Sequence, residues 1–404
     1  MQPLAHICKN KSMNEFLKRT WAEIDLDKIE KNYDICRSML REGVKMMGVI
    51  KADGYGHGAV AYAEIFSKKG CEWFAVSNID EALQIREAGI DTPILILGFT
   101  PAKMAQTLAL NNISQAVFDI AYAKELSSYA VQQGVQVNIH IKVDTGMSRI
   151  GFLYQDSEND RESIDLMEQA CRLPNLYAQG IFQHFAVADC AEDGEVYTRL
   201  QYDLFLDVIR RLENRGIQFE LYHCCNSAGA SEYRDLQLNM ARLGIVIYGL
   251  TSSPAVKEQW GIEPVMQVKS VVAMVKTVEA GTTVSYGRTF TAEKEMKIAT
   301  IPIGYADGYT RRLSGNGARM IIGGEYVPIV GTICMDMCMV DVTGLDVKAG
   351  DPVTVIGKEG DKEITVDEIA QKSGTINYEI TCDISKRVPR VYMRGGKIVS
   401  VQKF

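Results

Sequence analysis

The sequence predicts an α/β fold: an N-terminal (β/α)8 TIM-type barrel followed by a mostly β C-terminal domain. Three observations carry this. Between about residues 45 and 248, short apolar runs rich in β-branched residues alternate with stretches of helical period. Eight such runs fit into roughly 200 residues, the count and size that a closed barrel needs. Past residue 264 the period becomes strand-like and glycine pairs punctuate it. A doubly wound open sheet is the plainer alternative, and the strand count disfavours it.

The barrel strands are expected at 45–51, 73–77, 93–97, 114–118, 135–142, 176–182, 219–223 and 243–248. Continuous apolar strands, most followed by a helix, indicate a parallel sheet covered on its outer face. The intervening helices are expected at 59–68, 79–88, 120–133 and 195–214. Asp27 with Glu30 resembles a capping box, and Leu26, Ile29, Tyr33 and Leu40 recur near helical spacing, so an amphipathic helix should precede strand one. Turn residues accumulate in 251–264 (TSSPAVKEQWGIEP). Strand-like runs follow at 265–278, 297–302, 320–330, 338–342, 353–356 and 390–393, with one helical stretch at 366–372. The division is therefore an N-terminal extension at 1–18, a barrel at 19–258 and a β domain at 259–404.

Composition narrows the function. With 44 basic and 51 acidic residues among 404, the net charge is −7, and no basic stripe suited to nucleic acid is present. No apolar run approaches the ~18 residues of a membrane span. The first twenty residues carry Lys9, Lys11, Lys18 and Arg19 but lack the apolar core of a signal peptide. Ten scattered cysteines fit reduced thiols in a cytoplasm better than a disulfide framework.

The segment VIKADGYGHG (49–58) places Lys51 at the end of barrel strand one, where strand ends point into barrel active sites. A lysine held there can be desolvated and used as a Schiff-base amine, though a snorkelling rim lysine is the plainer reading. IHIKVDTGMSRIGF (139–152) sets Lys142, Asp144 and Arg149 at the end of strand five. Its Asp-Thr-Gly also resembles an aspartic-protease signature. That chemistry needs a second such carboxylate, which the chain lacks. His184 ends strand six. His223-Cys224-Cys225 ends strand seven without a second Cys/His pair at zinc spacing, so no metal is assigned. Asn226, Ser227, Gly244 and Ile245, after strands seven and eight, are suited to an anion because hydroxyls and amides both donate. A reactive lysine opposite a phosphate cradle suggests pyridoxal 5′-phosphate (PLP).

At this point the motifs match a family. VIKADGYGHG, KVDTGMSRIGF, NMARLGIVIYGL, VSYGRTF, PIGYADGYTRRL, GTICMDMCMVDV and GTINYEI, in this order, resemble the alanine racemases over nearly the whole chain, from about Trp21 to Val399. The resemblance implies a PLP-dependent isomerase that interconverts L- and D-alanine and supplies D-alanine for peptidoglycan. By it Lys51 would hold PLP and act as one catalytic base, and Tyr286 of a neighbouring subunit as the other. It further implies a homodimer with shared active sites.

The same likeness gives Tyr55, Ser227, Gly244, Ile245 and Tyr378 to the cofactor phosphate and Arg242 to the pyridine nitrogen, with His184 beside it. Asn226 joins the cofactor-binding set. Arg149 and Met335 would contact the substrate carboxylate, Arg149 also the cofactor's phenolic oxygen, and Tyr305 would help close the entrance. Lys142 matches a lysine that is carbamylated in many members, and the carbamate could orient Arg149. Serine racemases of the vancomycin-resistance type share the fold. They commonly carry asparagine at the position of Tyr378, so the tyrosine favours alanine. A non-enzymatic PLP-binding protein with the same barrel would lack the long β-rich stretch after Trp260.

Overall fold

The computed structural model describes residue 16, residues 18–256 and residues 260–404, so the N-terminal extension lies almost wholly outside the described residues. The described chain divides into two compact units. One comprises residues 29–54 and 59–263, and the other the described part of 1–28 with residues 55–58 and 264–404.

The first unit is a closed barrel of eight parallel strands. Around it run Ile113–Val117, Ile94–Ile96, Trp73–Val76, Lys45–Val49, Met240–Leu243, Leu221–His223, Leu176–Phe182 and Val137–Asp144, and the last pairs back with Ile113–Val117. Trp73–Val76, Ile94–Ile96 and Ile113–Val117 are buried at every residue, as strands covered on both faces must be. Helices close the outside. Asn78 and Asp119 cap two of them by accepting the N–H of Glu81 and Tyr122, and Gly134 ends the second in a left-handed cap at φ 65°.

Seven of the expected strands lie within a few residues of their predicted bounds; the eighth differs. The strand is Met240–Leu243, and Ile245–Tyr248 is a 3₁₀ turn closed by Gly249 at φ 78°. The IVIY run is apolar because it is buried, not because it is extended, and Gly244 (φ −107°, ψ −101°) ends the strand before it. The helix start also differs. Asp25 Oδ1 accepts the N–H groups of Asp27 and Lys28, so the cap precedes the helix Leu26–Met39. Asp27 instead accepts the N–H of Gly395 through Oδ2 at 2.6 Å.

The second unit is built on a sheet in the order Glu325–Pro328, Arg319–Ile322, Pro352–Glu359, Met266–Val271, Thr20–Asp25, Arg390–Arg394, Lys397–Gln402. Thr20–Asp25, which the sequence division places with the barrel, runs antiparallel to Met266–Val271 and parallel to Arg390–Arg394. A three-stranded sheet of Met274–Val278, Met296–Ile301 and Cys338–Asp341 sits over a core that includes Val284, Met296, Ile298 and Val330. The run expected as one strand at 265–278 is thus two strands in different sheets.

Residues 55–58 belong to this second unit, and their backbone is tightly held. Arg390, buried, donates through Nε to the Gly56 carbonyl at 2.7 Å. Gly56 has φ +81°, and a Cβ there would lie 2.2 Å from the Thr381 carbonyl oxygen. Neither atom can yield without moving backbone. Gly56→Ala should therefore cost about 2–3 kcal/mol in urea unfolding. Gly43→Ala, with a similar φ of +78° but nothing within 4 Å, should cost only about 1 kcal/mol. Equal losses would contradict the clash.

Candidate active site

Lys51 follows the barrel strand Lys45–Val49 by two residues and is half-buried. The chain then turns in a left-handed sense, with φ near +50 to +60° at Ala52, Asp53, Gly54 and Tyr55. Consecutive left-handed L-residues cost roughly 1–2 kcal/mol each, so surrounding contacts must enforce them. Glu81 does so from the helix Ile79–Glu87. Its Oε1 accepts the Ala52 N–H at 2.8 Å and its Oε2 accepts that of Ser77 at 2.7 Å. Asp53 Oδ1 accepts the N–H of Ala59 at 3.0 Å, and the Gly54 N–H returns to the Ile50 carbonyl. The turn fixes the exit of the chain from Lys51.

Inside the barrel the charge is cationic. Arg242 is buried at the end of Met240–Leu243. It donates through NH1 to His223 Nδ1 (2.9 Å) and the His223 carbonyl, and through NH2 to the Gln183 and Cys224 carbonyls and His184 Nδ1 (3.2 Å). Burial lowers its pKa to about 10, which still leaves it charged at neutral pH. Burial, then the charges of Arg242, Arg149, Lys142 and Lys51, push His184 well below the ordinary histidine range. It is therefore neutral, with Nδ1 as the acceptor. Burial likewise lowers the Lys142 amine to about 7, with Arg242 and Arg149 adding to the effect against the opposing pull of Asp144. Lys142 Nζ donates to the Val143 carbonyl at 2.5 Å and lies 5.6 Å from the Phe182 ring centroid.

Asp144 Oδ1 accepts the N–H groups of Gly146 (3.1 Å) and Ser148 (2.9 Å). The Asp-Thr-Gly motif is thus a turn that carries the exposed Arg149, and Asp144 is spent on backbone. After the strand Leu221–His223, Asn226 Oδ1 caps Ser227–Glu232 by accepting the Gly229 N–H. The Gly244 N–H donates to Ser227 Oγ at 2.9 Å, which ties the loops after strands seven and eight together at the start of the Ile245 turn.

In the second unit Tyr286 is 66% exposed, flanked by Ser285 at φ 68° and Gly287 at φ 74°. It borders a cavity of about 400 Å³ with Val284, Thr300, Cys334 and Met339. Thr332 Oγ1 donates to the Tyr286 carbonyl at 2.9 Å. The segments of Tyr305 and Met335 meet through backbone: the N–H groups of Tyr305 and Ala306 donate to the carbonyls of Cys334 and Met335. Gly304 permits this, since a Cβ would lie 2.3 Å from the Cys334 oxygen. Tyr55 and Tyr378 pack with ring centroids 6.0 Å apart. Tyr378 lies on the helix Asn377–Asp383, which the sequence reading did not expect.

Sequence reasoning missed three groups: Glu81, His140 and His223 as a ligand of Arg242. For His140 a signal existed. It stands two residues before Lys142, so strand alternation puts both on one face.

A barrel with a strand-end lysine, a buried cation and a polar rim over its last strands, joined to a β-rich unit, defines a two-part barrel enzyme. Residues 24–252 match the family model "Alanine racemase, N-terminal domain" and residues 265–392 match "Alanine racemase, C-terminal domain". The alanine racemase of Clostridium tetani is 45% identical over 394 residues, 97% of this chain and 100% of its own. The solved alanine racemase of Clostridium difficile 630 has a TM-score of 0.89 at 38% identity, covering 96% of this chain and 99% of that one. That of Bacillus anthracis with bound L-Ala-P has a TM-score of 0.86 at 36% identity, covering 96% and 98%. The chain belongs to the alanine racemase family and is an isomerase.

The Glu81 clamp yields a local test. Glu81→Ala removes the charge-assisted bond to the Ala52 N–H in the turn after Lys51, together with the one to Ser77. Amide hydrogen exchange across residues 50–56 should speed up by about tenfold or more, while the distal strands keep their protection. Unchanged exchange there would show that the turn does not depend on Glu81.

Proposed function

We propose that the chain is a PLP-dependent racemase that interconverts L- and D-alanine, supplies D-alanine for peptidoglycan, and works as a cytoplasmic homodimer with active sites shared between subunits. The observation that carries this reading is the barrel rim. It sets Lys51 on an enforced turn, a buried guanidinium at Arg242, and the Ser227–Gly244 pair across the last two strands. These donors fit PLP: an amine for its carbonyl carbon, hydroxyl and amide groups for its phosphate, and a cation for its ring nitrogen. The absence of a Cβ also matters at Gly229, where one would lie 3.1 Å from Phe185 and 3.2 Å from Asn226 Oδ1, so the cradle loop keeps its tight form.

When bound, PLP acidifies the substrate α-proton by delocalising the charge left on the α-carbon. The chain's own residues do the rest. Lys51 Nζ exchanges that proton on one face, and Tyr286 Oη of the partner subunit exchanges it on the other, because inversion requires removal and return on opposite sides. The exposure of Tyr286 in a single chain supports its use by a second copy. Ser227, Gly244, Ile245, Tyr55 and Tyr378 bind phosphate, with Asn226 holding the loop. Arg242 meets the ring nitrogen, backed by a neutral His184. Arg149 and the Met335 amide orient the substrate carboxylate, and Tyr305 narrows the entrance. A Tyr378 ring in place of a smaller amide favours alanine over serine. L-Ala-P in the Bacillus anthracis relative supports an alanine-shaped site. Free thiols at the nine described cysteines support a reducing compartment.

Borohydride reduction of the PLP-loaded protein should fix the label on Lys51 in peptide maps; a label elsewhere sinks the assignment. Tyr286→Phe should slow racemisation in both directions by about 10²–10⁴-fold. Exchange of the α-proton with deuterated solvent should persist for the enantiomer that Lys51 serves, by family likeness D-alanine, and collapse for L-alanine. Equal loss for both would favour a single base.

Lys142 gives a pH-dependent test. Its amine, held near 7, is neutral above that pH and charged below it, and only the neutral form adds CO2 to give a carbamate and a proton. The product would replace a cation crowded by Arg242 and Arg149 with an anion that both stabilise. Stripping CO2 at pH 7 should lower activity and bicarbonate should restore it, with restoration weakening as pH falls below 7. Activity indifferent to CO2 would mean an unmodified Lys142.

A further inference from the structure

The barrel holds a further imidazole behind His223, one of the two that Arg242 contacts. His140 Nδ1 lies 3.0 Å from His223 Nε2, and His223 Nδ1 lies 2.9 Å from Arg242 NH1. Both rings are fully buried. A guanidinium only donates, so His223 Nδ1 must accept. The His223 proton is then on Nε2 and donates to His140 Nδ1, which places the His140 proton on Nε2. The other tautomer of His223 would aim an N–H at the Arg242 N–H.

The chain makes room for His140 at some expense. Its partner in the neighbouring strand is Gly180, where a Cβ would lie 2.5 Å from His140 Nδ1. The pairing of Val137–Asp144 with Leu176–Phe182 shifts register between Ile139 and His140, which leaves Gln179 of the neighbouring strand as the extra residue beside Gly180. Trp73 closes the far side, with its ring 5.4 Å from the His140 ring at 60°. Glycine inside a strand weakens it, and an aliphatic side chain would fill a barrel interior without such adjustments. Space-filling alone does not account for this arrangement.

We propose that His140 is a positioning residue: through His223 it fixes the direction in which Arg242 presents its guanidinium to the reacting centre. This rests on the reading of Arg242 as the partner of the PLP ring nitrogen. The remaining Arg242 contacts are carbonyls and His184 on NH2, so His223 is the side chain that sets NH1. Burial lowers the pKa of His140 to about 3 and that of His223 well below the ordinary range, so neither ring competes with the guanidinium for charge.

The test uses full-length, PLP-loaded protein labelled with ¹⁵N-histidine; the chain has five histidines, which single substitutions assign. His140 and His223 should both appear as neutral Nε2–H tautomers between pH 6 and 9. An Nδ1–H form or an imidazolium at either position overturns the proposal, whatever any variant does. His140→Asn keeps an acceptor for His223, whereas His140→Leu does not. The Leu variant should lower kcat for alanine by about tenfold with KM little changed, and shift the visible absorption of the bound cofactor. Asn should recover most of both. Equal loss in the two variants would reduce His140 to a space-filler. A protein that takes up no PLP would sink the proposed function instead, and the tautomers are still read in it.

Discussion

A buried, charged guanidinium governs the interior of this barrel. Arg242 stands among backbone carbonyls and two imidazoles, and its charge is compensated by their dipoles. Low dielectric lets that charge act at range. It adds to the burial that keeps His184 and His223 neutral and lowers the Lys142 amine to about 7. Burial is the larger cause at all three neighbours, and the Arg242 charge reinforces it. Removing Arg242 would leave carbonyls and rings oriented toward nothing, and unsatisfied buried polar groups are costly.

The same constraint organises the rim. A cationic interior suits an anionic, electron-poor ligand, and the Ser227 hydroxyl and the Arg149 guanidinium on the rim loops are groups that can donate to one. Asp144 is the nearby carboxylate, and it is engaged by the backbone of its own turn. Left-handed residues carry strain directly after Lys51, the amine proposed to hold the cofactor, and Glu81 holds the first of them, Ala52, in place. Backbone strain of this kind clusters at functional sites, which agrees with the role proposed for Lys51.

Much of this was legible in the sequence. Seven barrel strands could be read because strands buried on both faces are continuous apolar runs, such as WFAV and the ILI within PILIL. The same logic failed at IVIY, where equal burial conceals a 3₁₀ turn and only Gly244 marks the break. Thr20–Asp25 could not be assigned to its sheet, because its partners Met266–Val271 and Arg390–Arg394 lie hundreds of residues away and pairing is a long-range property. The motif residues at Lys51, Arg149, Arg242 and Tyr286 stood out by family likeness. Glu81 and His140 did not: a glutamate in a helix and a histidine in a strand look ordinary until Ala52 and Gly180 are seen beside them.

The central claim is that the barrel of one copy supplies Lys51 and its cations while the β-rich unit of another supplies Tyr286. Mixing inactive Lys51→Ala subunits with inactive Tyr286→Phe subunits measures this directly. Free exchange in a symmetric dimer makes half the dimers mixed, each with one intact site, so racemase activity should return to about a quarter of wild type. Exchange demonstrated by mass with no return of activity would contradict it.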